Sequence, residues 1–203
     1  WSLAGLGLML ISGHTGQVSL GHAAFMAIGA FTNLALMMRG WHFIPALLAS
    51  AVSSGVIGAI ISRPILRMSG IYLAIATLAL SIIIEDVSIM AESITGGVAG
   101  LFAPPIDLFG MTIDRYSSPR AFYYLCLAVL VIVTLGYLNL LRSASGRSFL
   151  AVRDSEVSAR ALGVNVARAK TLSFALSCAM TGLAGALYAH LAQAVNYESF
   201  LVL

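Results

Sequence analysis

The sequence predicts an all-α fold: a polytopic transmembrane helical bundle of about six spans with one short cytoplasmic helix. Three observations carry this. The 203 residues are 60% hydrophobic and only 9% charged, where an average soluble domain carries about 25% charged residues. The charges leave long gaps: none precedes Arg39, and further gaps run over 40–62, 68–84, 121–141 and 171–197. Such gaps suit the roughly 20 apolar residues that cross a bilayer. Period-two alternation is missing, which argues against a β-barrel, and in lipid only helices then satisfy the backbone. The same composition excludes a disordered chain.

Taken in order, the predicted spans are 1–12 (read as cut short), 17–38, 43–61, 69–84, 121–141 and 171–193. A 21-residue helix is about 31 Å long, the thickness of the hydrocarbon core. The fourth span is short and reaches Met90 if Glu85 and Asp86 are carried to the interface. The chain opens at Trp1 with no initiator Met or basic leader and stops in mid-pattern at Leu203. It therefore reads as a piece of a longer protein: one transmembrane domain, 1–203, cut at both ends, with a cytoplasmic loop at 142–170.

The loops set orientation. Arg63 and Arg67 follow span three, and Arg142, Arg147, Arg153, Arg160, Arg168 and Lys170 follow span five. Single crossings put both sets on one side, and the positive-inside rule makes that side cytoplasmic. Arg39, Arg115 and Arg120 fall opposite, with most of the acidic residues. The segment 85–120 carries Thr95, Gly96, Gly97, Gly100 and the pair Pro104–Pro105, a density that punctuates helices. Its uncharged stretch 93–106 is a candidate for dipping into the membrane under a cover of protein.

Residues 12–22, Ser-Gly-His-Thr-Gly-Gln-Val-Ser-Leu-Gly-His, interrupt the first apolar stretch and are too polar to face lipid. Two readings stay open: a cytoplasmic loop leading into a helix, or a broken helix whose backbone lines a pathway. His22 either bonds a neighbouring helix as structural glue or contacts substrate or a proton. Gln17, Ser19, Asn33 and Thr77 pose the same choice. Small residues four apart, Ala23 and Ala27, Ala175 and Ala179, Gly182 and Ala186, read as close helix packing.

The loop 142–170 is the one long charged segment. Asp154 is placed to N-cap a short helix, with Glu156 in its first turn and Gly163 ending it. Asn165 then caps the next span. This helix is either a solvated connector or a docking element for a cytoplasmic partner.

Four segments now stand in order: Gly16-Gln17-Val18-Ser19-Leu20-Gly21-His22-Ala23-Ala24-Phe25, Gly70-Ile71-Tyr72-Leu73-Ala74-Ile75-Ala76-Thr77-Leu78-Ala79, Thr95-Gly96-Gly97-Val98-Ala99-Gly100-Leu101, and Arg153 through Val164. Together they resemble the permease subunits of bacterial branched-chain amino-acid ABC importers, most closely the second of the two permease types. The resemblance implies a multi-pass permease of the bacterial inner membrane, surrounded by lipid. Its implied partners are a second permease subunit, two cytoplasmic ATPase subunits and a periplasmic substrate-binding protein. It also implies that the segment with Arg153, Asp154, Ser155, Glu156, Arg160 and Gly163 faces the ATPases. That segment fits the general importer pattern loosely, since Val157 stands where Ala is usual and Gly163 lies one position late. On this reading Gln17, Ser19, His22, Thr77, Thr95, Gly96 and Gly97 line the substrate pathway. The cargo is a branched-chain or related amino acid, with urea and short amides compatible. The alternative is an ion- or proton-coupled carrier or channel using His22, Glu85 or Asp86.

No phosphate-binding loop, nucleophile elbow or zinc-type His pair occurs, so the chain is expected to be a transport subunit and not an enzyme. His14, His22, His42 and His190 lack ligand spacing, and Cys126 and Cys178 sit in apolar runs. No metal, cofactor or nucleic acid is expected. The net charge of +3 is a matter of where the basic residues lie, not of a polyanionic partner.

Overall fold

The computed structural model describes residues 1–65, 71–108, 111–113, 115 and 118–200, with only the backbone described at a few of them. The predicted start of span four at Ser69, the basic Arg67 and the first residue of the second segment, Gly70, lie outside the described residues. The described chain is almost entirely helical. Helix α1 (Ser2–Leu8) runs into a π-helical turn, Met9–Gly13. There follow α2 (His22–Met38), α3 (Phe43–Ile65), α4 (Ile71–Met90) and the single turn α5 (Glu92–Thr95). Then come α6 (Pro119–Arg142), α7 (Ala144–Asp154), α8 (Glu156–Ala161) and α9 (Val166–Ala192).

Among the described residues, four helices are long and apolar enough to cross a membrane: Phe43–Pro64, Ile71–Met90, Pro119–Arg142 and Val166–Ala192. The first two predicted spans are apolar but shorter, at Ser2–Gly13 and His22–Met38. Six full-length spans are therefore not what the described residues contain. The second was expected from Gln17, yet its helix begins at His22, because residues 16–21 leave helical geometry. The fourth does continue to Met90.

Helix α9 is the hub. Two-thirds of its apolar stretch is buried, whereas 6% of the α6 stretch is. Small residues let α2 and α3 close onto it: a Cβ on Gly29 would collide with Gly182, and one on Gly185 with the carbonyl of Met26. On α3, a Cβ on Gly58 would lie 2.7 Å from Cys178 Sγ. The Gly182 end of the predicted small-residue pairs is thus a packing seam. Outward faces of α3 and α6 carry exposed Val52, Val56, Ile60, Ile132 and Leu135, a surface suited to lipid.

Contacts also fix helix directions. Gly7 meets Ser177 while Leu3 clusters with Leu187, so α1 runs against α9. Gly58 meets Cys178 while Ser54 meets Gly182, so α3 does as well. His22 meets Ser177 and Asn33 meets His190, so α2 runs along α9.

The segment after α4 folds over the far ends of α2 and α9. A short antiparallel pair joins β1 (Leu101–Phe102) to β4 (Ala194–Val195), and β2 (Ile106–Leu108) pairs with β3 (Met111–Ile113). Ile106 is buried in a cluster with Phe43, Phe122 and Leu187.

The charged loop holds two helices where one was expected. Asp154 is the last residue of α7, and Ser155 is the cap of α8: its Oγ accepts from the Ser158 amide at 3.2 Å. Gly163, at φ +82°, closes α8, with Gly163 N–H bonded to Arg160 and Val164 N–H to Ala159. Asn165 caps α9 as predicted, accepting from the Arg168 amide at 3.0 Å.

Candidate functional site: a buried irregular segment joined to the charged loop

Residues 16–21 are irregular backbone between the π-turn and α2: Gln17, Ser19 and Gly21 are buried, while Gly16, Val18 and Leu20 are exposed. Irregular backbone within a membrane protein needs protein or a cavity to satisfy it, and here the Ile11 carbonyl and the Ser19 and Thr77 hydroxyls take part. The π-turn carbonyls of Leu10 and Ile11 accept from Thr15 Oγ1, and Ile11 O also accepts from the Gln17 amide at 3.0 Å. The Leu20 amide donates to Thr77 Oγ1 of α4 at 2.9 Å. Thr77 is wholly buried, and its hydroxyl donates to Ala74 O. A Cβ on Gly21 would sit 2.8 Å from the Thr77 carbonyl, so only glycine allows α4 this close.

Two side chains of the segment reach α9. Gln17 Nε2 donates to Ser173 Oγ at 3.2 Å, and His22 Nε2 lies 2.7 Å from Ser177 Oγ. Ser177 gives its proton to the Gly7 carbonyl at 2.6 Å. His22 Nε2 is then the donor to Ser177, and Nδ1 is left as a bare acceptor. Gln17 Oε1 and His22 Nδ1 are buried without a hydrogen-bond partner in the described structure. Buried polar atoms are normally paired; Asn33 Nδ2, farther along α2, is a third such atom among the described residues.

The α9 side of the site was not singled out in the sequence. Ser173, Ser177 and Thr181 are fully buried, four residues apart on one face. That i, i+4, i+8 spacing within an apolar run was the available signal. Asn33 and His190 form a second buried pair at 2.8 Å, two-thirds of the way along α2.

Not every expected pathway residue gathers here. Gln17, Ser19, His22 and Thr77 do. Thr95 is buried too, but its hydroxyl serves its own loop: the carbonyls of Ser88 and Ala91 lie at 2.5 and 3.0 Å, and it accepts from the Gly97 amide. Gly96 and Gly97, at φ +73° and +57°, shape the turn that follows. This loop precedes β1, which is tied to the chain beyond the C-terminal end of α9, while Gln17 meets the N-terminal third of α9.

On the loop side, Arg153 Nη1 donates to the Gly13 carbonyl at 2.7 Å, and its stem packs beside Gly16. Glu156 Oε1 pairs with Lys170 Nζ at 2.5 Å. Asp154 and Arg160 are exposed. So are Val157 and Leu162, at 80% and 82%, two large apolar side chains on this charged loop. Among the described residues no group of three or more His, Cys, Asp or Glu is placed to hold a metal, and Cys126 and Cys178 are free thiols.

Long apolar helices around a small-residue seam, with one polar break, define a multi-pass α-helical membrane protein. The chain belongs to the family of the permease component of the branched-chain amino acid transport system, whose family model matches residues 1–203. It is 34% identical, over 98% of its length, to the high-affinity branched-chain amino acid transport system permease protein LivM of Salmonella typhimurium strain LT2. It has the same identity and coverage against LivM of Escherichia coli K12. It is 27% identical, over 71% of its length, to the probable LivM of Methanocaldococcus jannaschii, covering 41% of that protein. The chain spans 52% of the two bacterial LivM proteins, about half their length. No solved structure matches it.

Proposed function

We propose that this chain is the membrane-spanning core of a permease subunit in an ATP-driven importer, moving branched-chain or related amino acids across the bacterial inner membrane. A second permease subunit completes the pathway, two cytoplasmic ATPases drive it, and a periplasmic binding protein delivers the cargo. Family membership supports the permease role. The observation that carries the mechanism is the half-buried polar segment 16–21, reached from the charged-loop side by Arg153, which bonds Gly13 just before it and packs beside Gly16.

The reading runs from loop to pathway. Closure of the ATPases on bound ATP presses on α8 through the exposed Val157 and on Leu162 just past its end. Arg153, Asp154, Ser155, Glu156, Arg160 and Gly163 form and frame that contact. The motion reaches Gln17, Ser19, His22 and Thr77, whose polar atoms line the inner half of the path. Thr95, Gly96 and Gly97 line its outer end. The unpaired Gln17 Oε1 and His22 Nδ1 supply acceptors for an ammonium or amide group of the cargo. None of these residues makes or breaks a covalent bond. The opposed and matched helix directions around α9 support six alternating crossings, with α7 and α8 on the cytoplasmic side.

The test is co-purification of the full-length protein with its ATPases. The doubly substituted Val157→Asp, Leu162→Asp protein should insert normally and lose the ATPases. Retention of the ATPases by that variant would overturn the docking assignment.

A further inference from the structure

Lys170 carries a charge that the pathway reading does not use. It lies in the second turn of α9 and is 8% exposed, with its ammonium on Glu156 of α8. A buried ammonium demands a partner, because an uncompensated charge in a low-dielectric site is expensive. Glu156 is itself 44% exposed, so this partner rides on the element that faces the cytoplasm.

The backbone of Lys170 is engaged as well. Its carbonyl accepts from Ser173 Oγ at 2.9 Å, and Ser173 Oγ in turn accepts from Gln17 Nε2 at 3.2 Å. A hydroxyl donates once and accepts at its lone pairs, so both bonds stand together. Glu156, Lys170, Ser173 and Gln17 thus form one continuous polar line from α8 to the buried segment.

We infer that Lys170 is a positioning residue that couples the α8 helix to the segment 16–21, by holding Glu156 at one end while its own turn of α9 holds Gln17 through Ser173. The inference rests on the importer reading. Arg153 on Gly13 is a second, parallel attachment of the same corner. The two attachments brace the π-turn end and the Gln17 end of the irregular stretch, so displacement of α8 moves the stretch as a unit. Spatial continuity alone does not establish coupling; a demonstrated energetic interaction does.

The experiment uses the full-length permease assembled with its partner subunits in liposomes, and reads cargo moved per ATP hydrolysed. The variants are Lys170→Met, Glu156→Gln, their double, and the exchange of Glu156→Lys with Lys170→Glu. Lys170→Met should assemble and hydrolyse ATP while cargo per ATP falls at least about fivefold, the lower end of ordinary coupling. Glu156→Gln changes a half-exposed side chain to its isostere and should show the same loss if Lys170→Met misfolds. The double should be no worse than either single, and the exchange should recover part of the loss. Wild-type cargo per ATP in Glu156→Gln, or losses that add in the double, would overturn the inference alone. A wild-type assembly that hydrolyses no ATP would overturn the importer reading and the inference with it.

Discussion

His22 and Ser177 lie 155 residues apart in sequence, yet the imidazole Nε2 and the hydroxyl oxygen are 2.7 Å apart, and Ser177 continues to the Gly7 carbonyl. One contact therefore joins the first residue of α2, the middle of α9 and the end of α1. It also leaves His22 Nδ1 unpaired in a buried setting.

His22→Ala separates the two roles of that side chain. Hydrogen bonds between membrane helices are worth about 1 kcal/mol, so thermal unfolding in detergent should shift modestly. Uptake of labelled leucine by the full-length protein should fall about tenfold or more, equivalent to about 1.4 kcal/mol on the barrier. Unchanged uptake would reduce His22 to structural glue.

The small-residue seam makes a contrast between two glycines. Gly185→Ala drives a methyl group into the Met26 carbonyl of α2. It should cost about 1–3 kcal/mol, the usual range for overpacking. Gly136→Ala in α6 meets nothing within 4 Å and should be neutral or raise stability by about 0.5 kcal/mol. Parallel unfolding curves in one detergent check both, and equal effects at the two positions would refute the seam.

The cap of α8 distinguishes adjacent residues. Ser155→Ala should cost this short helix about 1 kcal/mol, seen as faster amide exchange at Ser158 and its neighbours. Asp154→Ala should leave that exchange unchanged, because Ser155 Oγ accepts from the Ser158 amide. Faster exchange in Asp154→Ala with no change in Ser155→Ala would restore the assignment made from sequence.

Ser19 is 8% exposed within the irregular segment. In a background carrying Cys126→Ala and Cys178→Ala, a Ser19→Cys thiol should be labelled at rates that differ several-fold between nucleotide-free and ATP-bound assemblies. A rate independent of nucleotide would place Ser19 outside the moving path.

Charge gaps located every long apolar helix, because lipid tolerates few charges along a span. They did not locate where helical backbone stops. Hydropathy put Gln17 in the second span, but the backbone at 16–21 bonds to the Ile11 carbonyl and the Thr77 side chain, a tertiary arrangement with no local signature. Asp154 and Ser155 are both good caps, so composition alone could not decide between them, and the choice fell to the break between α7 and α8. The resemblance groups Thr95 with Gln17 on one pathway. Only the fold shows that its loop leads into the strand paired beyond the C-terminal end of α9. The Ser173, Ser177 and Thr181 face was legible as a period-four polar stripe, yet each hydroxyl taken singly looks unremarkable in a membrane helix, where it can bond its own backbone.

The central claim is that ATP hydrolysis by partner subunits moves an amino acid past the Gln17–His22 segment. It is tested most directly by reconstituting the full-length protein with its genomic neighbours in liposomes and measuring ATP hydrolysis with and without the binding protein and leucine. The account predicts stimulation by the loaded binding protein, with leucine uptake that depends on ATP and is lost in His22→Ala. Uptake that follows an ion gradient, with no ATPase bound, would contradict it and favour a secondary carrier.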